Sequence, residues 1–466
     1  MAFIFGKGML KVRRIRDSDD FLVAGRNVGW LLLFATMGAT VIGGGYSVGA
    51  VGKTYEWGVL MLIVSTGGYL HFIFSGLVVA PKFREANLYT VAGYFGYRFG
   101  EGPRFVILVL SLLFSVFIIA AQMAAFGTVL SAILPSFTEA QIDLRWAILI
   151  GGLLVVIYST AGGLLAVIYT DIYQFIILFA GFLLTLAFAL PDMLPRWSEI
   201  TARVPADFFR FEGGKGIAFL VTTFLAFLLG ETFAPGYATR YCIGRDVQHT
   251  RWGIAGVGFF LALTFPAILF FIALYGRVHF PNIEPQQALP FVIQSLHNPW
   301  VAGLMIAALL SAVMSSADSA LNSSTAIFVK DLFEHQLGWS HKGDRYLLRL
   351  ARICSAILGV VAIVIAILWS DIIELLLFTY HVWAPAVIVP VTVGALTKDR
   401  SRAMLVSVFA SMIVATVVTT VYRVTPYAEN FDPAVFGVGV SALTYFALRL
   451  YFRISPPRSS ESPHRG

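Results

Sequence analysis

The residues best suited to chemistry lie in one run, Ser311-Ala-Val-Met-Ser315-Ser316-Ala-Asp318-Ser319-Ala-Leu-Asn322-Ser323-Ser324. It falls inside Val301 to Phe328, which is otherwise long and apolar enough to cross a bilayer, and Asp318 is the only charge there. A carboxylate at membrane depth costs about 2.5 kcal/mol or more, so it turns to a protein interior and takes a partner. Ser311, Ser315, Asp318 and Asn322 follow helical spacing and share a face. A stripe of oxygens inside a membrane suits a hard cation such as sodium.

The elements that must position this stripe are read from hydropathy. The 466 residues are 58% hydrophobic and 13% charged, with mean hydropathy +0.80, where soluble proteins carry roughly 25% charged residues. Apolar stretches recur along the chain, and they are continuous rather than alternating. An all-α polytopic membrane protein is therefore expected, and not a β-barrel. The stretches predict twelve transmembrane helices over 27–50, 57–80, 105–134, 146–160, 163–190, 216–239, 252–276, 299–328, 350–370, 372–396, 403–422 and 434–452.

The net charge of +7 reports topology rather than nucleic acid. With the N-terminus inside, 25 of the 33 Lys and Arg residues fall on the inner side of the twelve spans. Positive residues favour the cytoplasm, so both termini are expected there, with anionic lipid headgroups a weak further attraction. Cys242 and Cys354 make neither a disulfide framework nor a metal-ligand spacing. No cleavable signal peptide is visible, and no polar interval is long enough for a catalytic domain. The expected divisions are a cytoplasmic segment 1–26, a ten-helix core 27–396, two peripheral helices 397–454 and a disordered Pro/Ser-rich tail 455–466.

Two spans read as interrupted. The first contains Gly43-Gly44-Gly45, and glycine weakens a helix interior by about 1 kcal/mol each. The sixth contains Gly230-Glu231-Thr232-Phe233-Ala234-Pro235-Gly236, where proline removes a backbone hydrogen bond. Spans one and six hold equivalent places in two five-helix halves. Such a pair of breaks points to an inverted-repeat transporter with its site at the breaks. Glu231 is then a substrate or proton candidate. Tyr46, Gln122, Phe233, Tyr237, His381 and Trp383 are candidates for the cavity or gate, and Arg240 reads as an anchor of a helix end. A quaternary ammonium is usually held by an aromatic cage; the break itself offers Phe233 and Tyr237 but no tryptophan, with Glu231 a partner for a cationic substrate.

Three blocks carry a resemblance to the sodium:solute symporter family. Phe21-Leu-Val-Ala-Gly-Arg26 leading into Ala39-Thr-Val-Ile-Gly-Gly44 resembles the first core helix. Gly162-Gly-Leu-Leu-Ala-Val-Ile-Tyr-Thr170-Asp171-Ile-Tyr-Gln174 resembles the signature around core helix five. Ser311 to Ser324 with Lys330-Asp331 resembles core helix eight, its wording nearest the choline-transporter-like bacterial branch. Arg240-Tyr241 and Gly244-Arg245-Asp246 fit the stretch after core helix six. The resemblance implies a five-plus-five inverted repeat of the leucine-transporter type in a bacterial plasma membrane. It also implies a sodium ion, the coupling ion, held by carbonyls of Ala39, Ile42 and Ala312 and hydroxyls of Ser315 and Ser316. Asp171 matches an aspartate near the family's sodium exit path, and a second ion site would join Asp171, Asp318 and Ser319. An aspartate stands at 318 where relatives have a hydroxyl, which makes that site more negative. Most members carry an extra helix before the first core helix; here residues 1–18 precede it.

The function expected is sodium-coupled symport of a small organic solute across the lipid bilayer, with no nucleic acid and no obligate protein partner. Proton-coupled symport through Asp318 or Glu231 is the rival within transport. A membrane sensor is the second class, and it normally carries an attached signalling domain. An intramembrane enzyme is the third, but no zinc motif, His/Asp cluster or nucleophile elbow is present in the sequence, so no enzymatic activity is expected.

Overall fold

In lipid the backbone must satisfy its own hydrogen bonds, and continuous apolar runs do so as helices. The computed structural model describes residues 22–136, 142–161 and 164–454, and these are helical almost throughout. The transmembrane segments are α1 (Trp30–Val41 and Gly45–Trp57), α2 (Val59–Glu85), α3 (Glu101–Ile133), α4 (Leu144–Ala161), α5 (Leu164–Met193), α6 (Ile217–Gly230 and Pro235–Tyr241), α7 (Val247–His279), α8 (Pro299–Ala326), α9 (Asp344–Leu368), α10 (Ile372–Leu396), α11 (Arg402–Arg423) and α12 (Pro433–Ile454). Among the described residues nine helices are long and apolar enough to cross a bilayer, and the two bent pairs bring the number to eleven. The shorter apolar helix over Leu144–Ser159 stands where the fourth span was expected. The signature glycines Gly162 and Gly163 and the two terminal segments lie outside the described residues.

Both expected breaks are present. The halves of α1 bend by 61° and those of α6 by 49°. The α1 break falls at Ile42–Gly44, one residue before the glycine run that predicted it, and the chain re-enters through a wide helical turn over Gly45–Gly49. The polar intervals hold short helices at Val91–Phe99, Trp197–Arg203 and Ala288–Leu296, while α8 continues in a wide helix to Gln336.

Each main contact recurs five helices later. The first half of α1 packs on α7, and the first half of α6 packs on α2. Likewise α5 packs on α1 and α10 on α6, while α3 packs on α10 and α8 on α5. Five is an odd number of crossings, so the second unit enters from the opposite side and the repeat is inverted. Helices α1, α2, α6 and α7 form one packed group; α3, α4, α8 and α9 form the other. α11 and α12 pair with each other outside α10.

At one end the backbone is latched. Val28 N–H donates to the Ile243 carbonyl at 3.1 Å, and Arg245 N–H donates to the Val28 carbonyl at 2.8 Å. Arg84 Nε donates to the Gly244 carbonyl at 2.7 Å, and Arg26 donates to the carbonyls of Asn87 and Leu88 at 2.9 and 3.2 Å. The thiol of Cys242 is buried under this latch. At the opposite end Lys53 of α1 pairs with Asp371 at 3.1 Å, just ahead of α10.

Candidate ion and solute site

The α1 break lies directly on α8. A Cβ at Gly43 would overlap the Ser316 side chain, and one at Gly44 would overlap Ala125 of α3. That approach is what requires glycine here. Ile42 leaves the helical path at φ −78°, ψ 45°. The Gly44 N–H finds a new partner in Gln122 Oε1 at 2.8 Å. Ser316 closes the seam: its hydroxyl lies 2.8 Å from the Thr40 carbonyl and 3.2 Å from the Ala312 carbonyl. One hydroxyl thus joins backbone oxygens of α1 and α8. Ser315, one residue back, donates to Asp171 of α5.

Beside this seam is a fully buried ion pair. Arg240 Nη2 lies 3.2 Å from Asp171 Oδ2, and both side chains are at 0% exposure. Arg240 also donates to Ser319 Oγ at 2.7 Å and to the Gly236 carbonyl at 3.1 Å, and Thr36 donates to Asp171 at 2.5 Å. The reading of Arg240 as an anchor of a helix end is corrected. The turn of chain after the α6 break carries it inward, between α1, α5 and α8. One signal for this was present in the sequence, an arginine five residues after Pro235 and an aspartate, Asp171, in another apolar span, and it was not enough to pair them.

Of the three residues expected to form a second ion site, Asp171 and Ser319 meet on Arg240, and Asp318 alone turns aside. Neighbours on a helix point about 100° apart, so Ser319 faces Arg240 and Asp171 while Asp318 turns to α4. There Asp318 accepts the Ser159 hydroxyl. The guanidinium already supplies a positive charge to Asp171 and Ser319.

Beyond the seam lies a cavity between α1, α3, α6, α8 and α10. It holds about 40 Å³ of space open to the centre of a water molecule, several times the ~10–15 Å³ that one water needs. Tyr46, Gln122, Glu231, Tyr237, Ser316 and Ser319 all line it, together with Thr40 and Ser115, which sequence reasoning missed. Glu231 is 3% exposed. Its oxygens accept from Tyr237 at 2.6 Å and from Tyr380 of α10 at 2.8 Å.

Three expected cavity residues stand elsewhere, and each placement has a reason. Trp383 is buried behind the α6 break, where its indole N–H donates to the Thr232 carbonyl at 3.0 Å; unwinding freed that carbonyl. Phe233 takes φ 64° to make the turn, which sends its ring toward Phe74 of α2. His381 lies one residue round α10 from Tyr380 and so faces out, 3.3 Å from Asp432 ahead of α12. Tyr380 holds the inward position that His381 was expected to hold.

A model of the sodium:solute symporter family matches residues 21–422. The chain is 27% identical over 389 residues to high-affinity choline transporter 1 of Caenorhabditis elegans, covering 78% of this chain and 66% of that one. It thus spans a little under two thirds of the length of that relative. It is 26% identical over 392 residues to the high-affinity proline transporter of Bacillus subtilis (strain 168), covering 81% and 80%. In fold it matches the outward-open structure of a Na+-coupled sialic acid symporter, with a TM-score of 0.79, 22% identity and coverage of 99% and 97%. A nucleobase-cation-symport-1 family transporter matches with a TM-score of 0.58. The paired breaks, the repeated contacts and a family match that runs from before α1 to the end of α11 have one reading: the chain belongs to the sodium:solute symporter family.

Proposed function

We propose that this protein is a secondary active transporter in which sodium moves inward and carries a small organic solute with it. The observation that carries the reading is the Ser316 seam, where the broken α1 meets α8 through backbone oxygens and a hydroxyl. Carbonyls of Ala39, Ile42 and Ala312 and hydroxyls of Ser315 and Ser316 would hold the ion. Ser315 gives its proton to Asp171, which leaves its lone pairs for a cation. Ser316 can do the same by keeping its proton on a carbonyl. Relatives named for choline and for proline support a solute with an ammonium or amino acid group. Helices α1, α2, α6 and α7 would move as a unit against α3, α4, α8 and α9, opening the cavity to one side at a time. The charge bias of the connecting segments supports cytoplasmic termini, with the Arg26/Arg84 latch then on the inner face.

Reconstitution in liposomes tests this. An inward sodium gradient drives uptake of at least one solute from a broad screen, and Ser316→Ala weakens sodium dependence roughly tenfold or more, as loss of an ion-orienting oxygen does. No sodium-dependent uptake or binding across the screen would sink the proposal. Proton coupling is favoured by one observation, that Asp318 is buried and accepts a hydrogen bond from the neutral Ser159 hydroxyl. Imposing sodium and pH gradients separately distinguishes the two.

A further inference from the structure

Glu231 is a buried carboxylate without a countercharge beside it. Its two hydrogen-bond donors, Tyr237 and Tyr380, are neutral phenols. Other buried carboxylates of the bundle are matched: Asp171 by Arg240, and Asp331 by Arg104 at 2.9 Å. Asp318 lacks a cation too, but it faces α4 and does not line the cavity. No Lys, Arg or His lines the cavity, among the described residues, so nothing fixed in the protein neutralises Glu231. A carboxylate accepts about four hydrogen bonds, and the two phenols leave half of that capacity free.

Aromatic rings gather on the same cavity. Tyr46 from α1, Phe114 from α3 and Tyr237 from α6 line it. Tyr46 is buried with its hydroxyl beside Tyr380, and Phe227 packs edge-on to both Tyr46 and Tyr380, at 6.1 and 5.6 Å between ring centres. The break in α6 alone supplied too few rings for a cage; the fold brings the others from two further helices, α1 and α3. Ring faces attract cations, most strongly away from water. We propose that the solute is a small organic ammonium ion, its charge set against Glu231 and walled by Tyr46, Phe114 and Tyr237. This rests on the reading of the protein as a solute transporter.

The test uses the full chain purified in lipid nanodiscs. Binding of choline, tetramethylammonium and ethanolamine is compared by calorimetry with that of 3,3-dimethylbutan-1-ol, the uncharged isostere of choline. Sodium binding is followed separately by the shift in melting temperature. At least one ammonium ion is expected to bind in sodium buffer about tenfold or more tighter than the neutral isostere. Glu231→Gln removes that preference and keeps the sodium-induced shift. The proposal is overturned if the isostere binds as well as the ions, or if no ammonium ion binds to a protein that still responds to sodium. It is also overturned if Glu231→Gln binds the ions like the wild type, or loses the sodium shift, which would make Glu231 an ion ligand. Should Glu231→Gln fail to fold, the comparison of charged and uncharged probes on the wild type decides alone. A wild type without any sodium shift counts against sodium coupling, while the ammonium comparison is read independently of it.

Discussion

Arg240 and Asp171 place a full charge pair in the centre of the bundle, held by Thr36, Ser315 and Ser319. Desolvating two charges offsets much of their attraction, but removing one leaves the other stranded at a cost of about 3–5 kcal/mol. Arg240→Ala is therefore expected to destabilise the protein severely, and the double variant Asp171→Asn, Arg240→Met to recover most of the loss in thermal unfolding. A double variant as unstable as the single one would show that the pair is not the cause. Gly43 is the second residue with a sharp expectation. A side chain there displaces Ser316, so Gly43→Ala should weaken sodium binding about as much as Ser316→Ala, roughly tenfold, and the two effects should not add. At this scale the sequence was legible where a residue had to be unusual for its surroundings. Asp318, Glu231 and the Gly43–Gly45 run stood out because charge and glycine are costly inside a membrane helix. Arg240 was misread because its partner lies on another helix, and spacing along one helix carries no information about that.

The broken helices set the expectations for whole elements. α6 unwinds at Glu231–Ala234, and the orphaned Thr232 carbonyl is met by the Trp383 indole. Trp383→Phe loses that donor and part of the ring's bulk, so it should cost about 1–3 kcal/mol for the unpaired buried carbonyl and more for the cavity it leaves. Chemical denaturation of the variant measures this; an unchanged midpoint would mean the carbonyl has another partner. His381 is expected to behave differently, since it pairs with Asp432 on the outer side of α10. His381→Ala takes a partner from the largely buried Asp432, so it should cost about 1–3 kcal/mol and leave solute and sodium binding within about twofold. The breaks were readable because glycine and proline act locally and recur at matched positions. The face that α10 turns inward was not. Its apolar residues run almost all round the helix, and without a polar stripe nothing favours His381, Tyr380 or Trp383 as the residue that looks in.

For the whole molecule, the repeated contacts between the two halves give two packed groups joined by the seam at Ser316, and the ends of the bundle are fastened by different means. One end relies on the Lys53–Asp371 pair, the other on backbone carbonyls taken by Arg26, Arg84 and Arg245. Beneath that second fastening, burial pushes the Cys242 thiol up to about 12. Thiolate is the reactive form, so Cys242 stays inert to alkylation while the latch holds. The chain has two cysteines, and Cys354→Ser leaves Cys242 as the single thiol. The protein therefore carries its own stopwatch: the half-time of maleimide capture at Cys242 times how long this end remains shut. Arg84→Ala removes a charge-assisted hydrogen bond worth about 1.5 kcal/mol or more and should shorten that half-time roughly tenfold. Any bound solute or ion that favours one side of the bundle can then be ranked by how far it slows or speeds the same clock, with no residue added to the bundle.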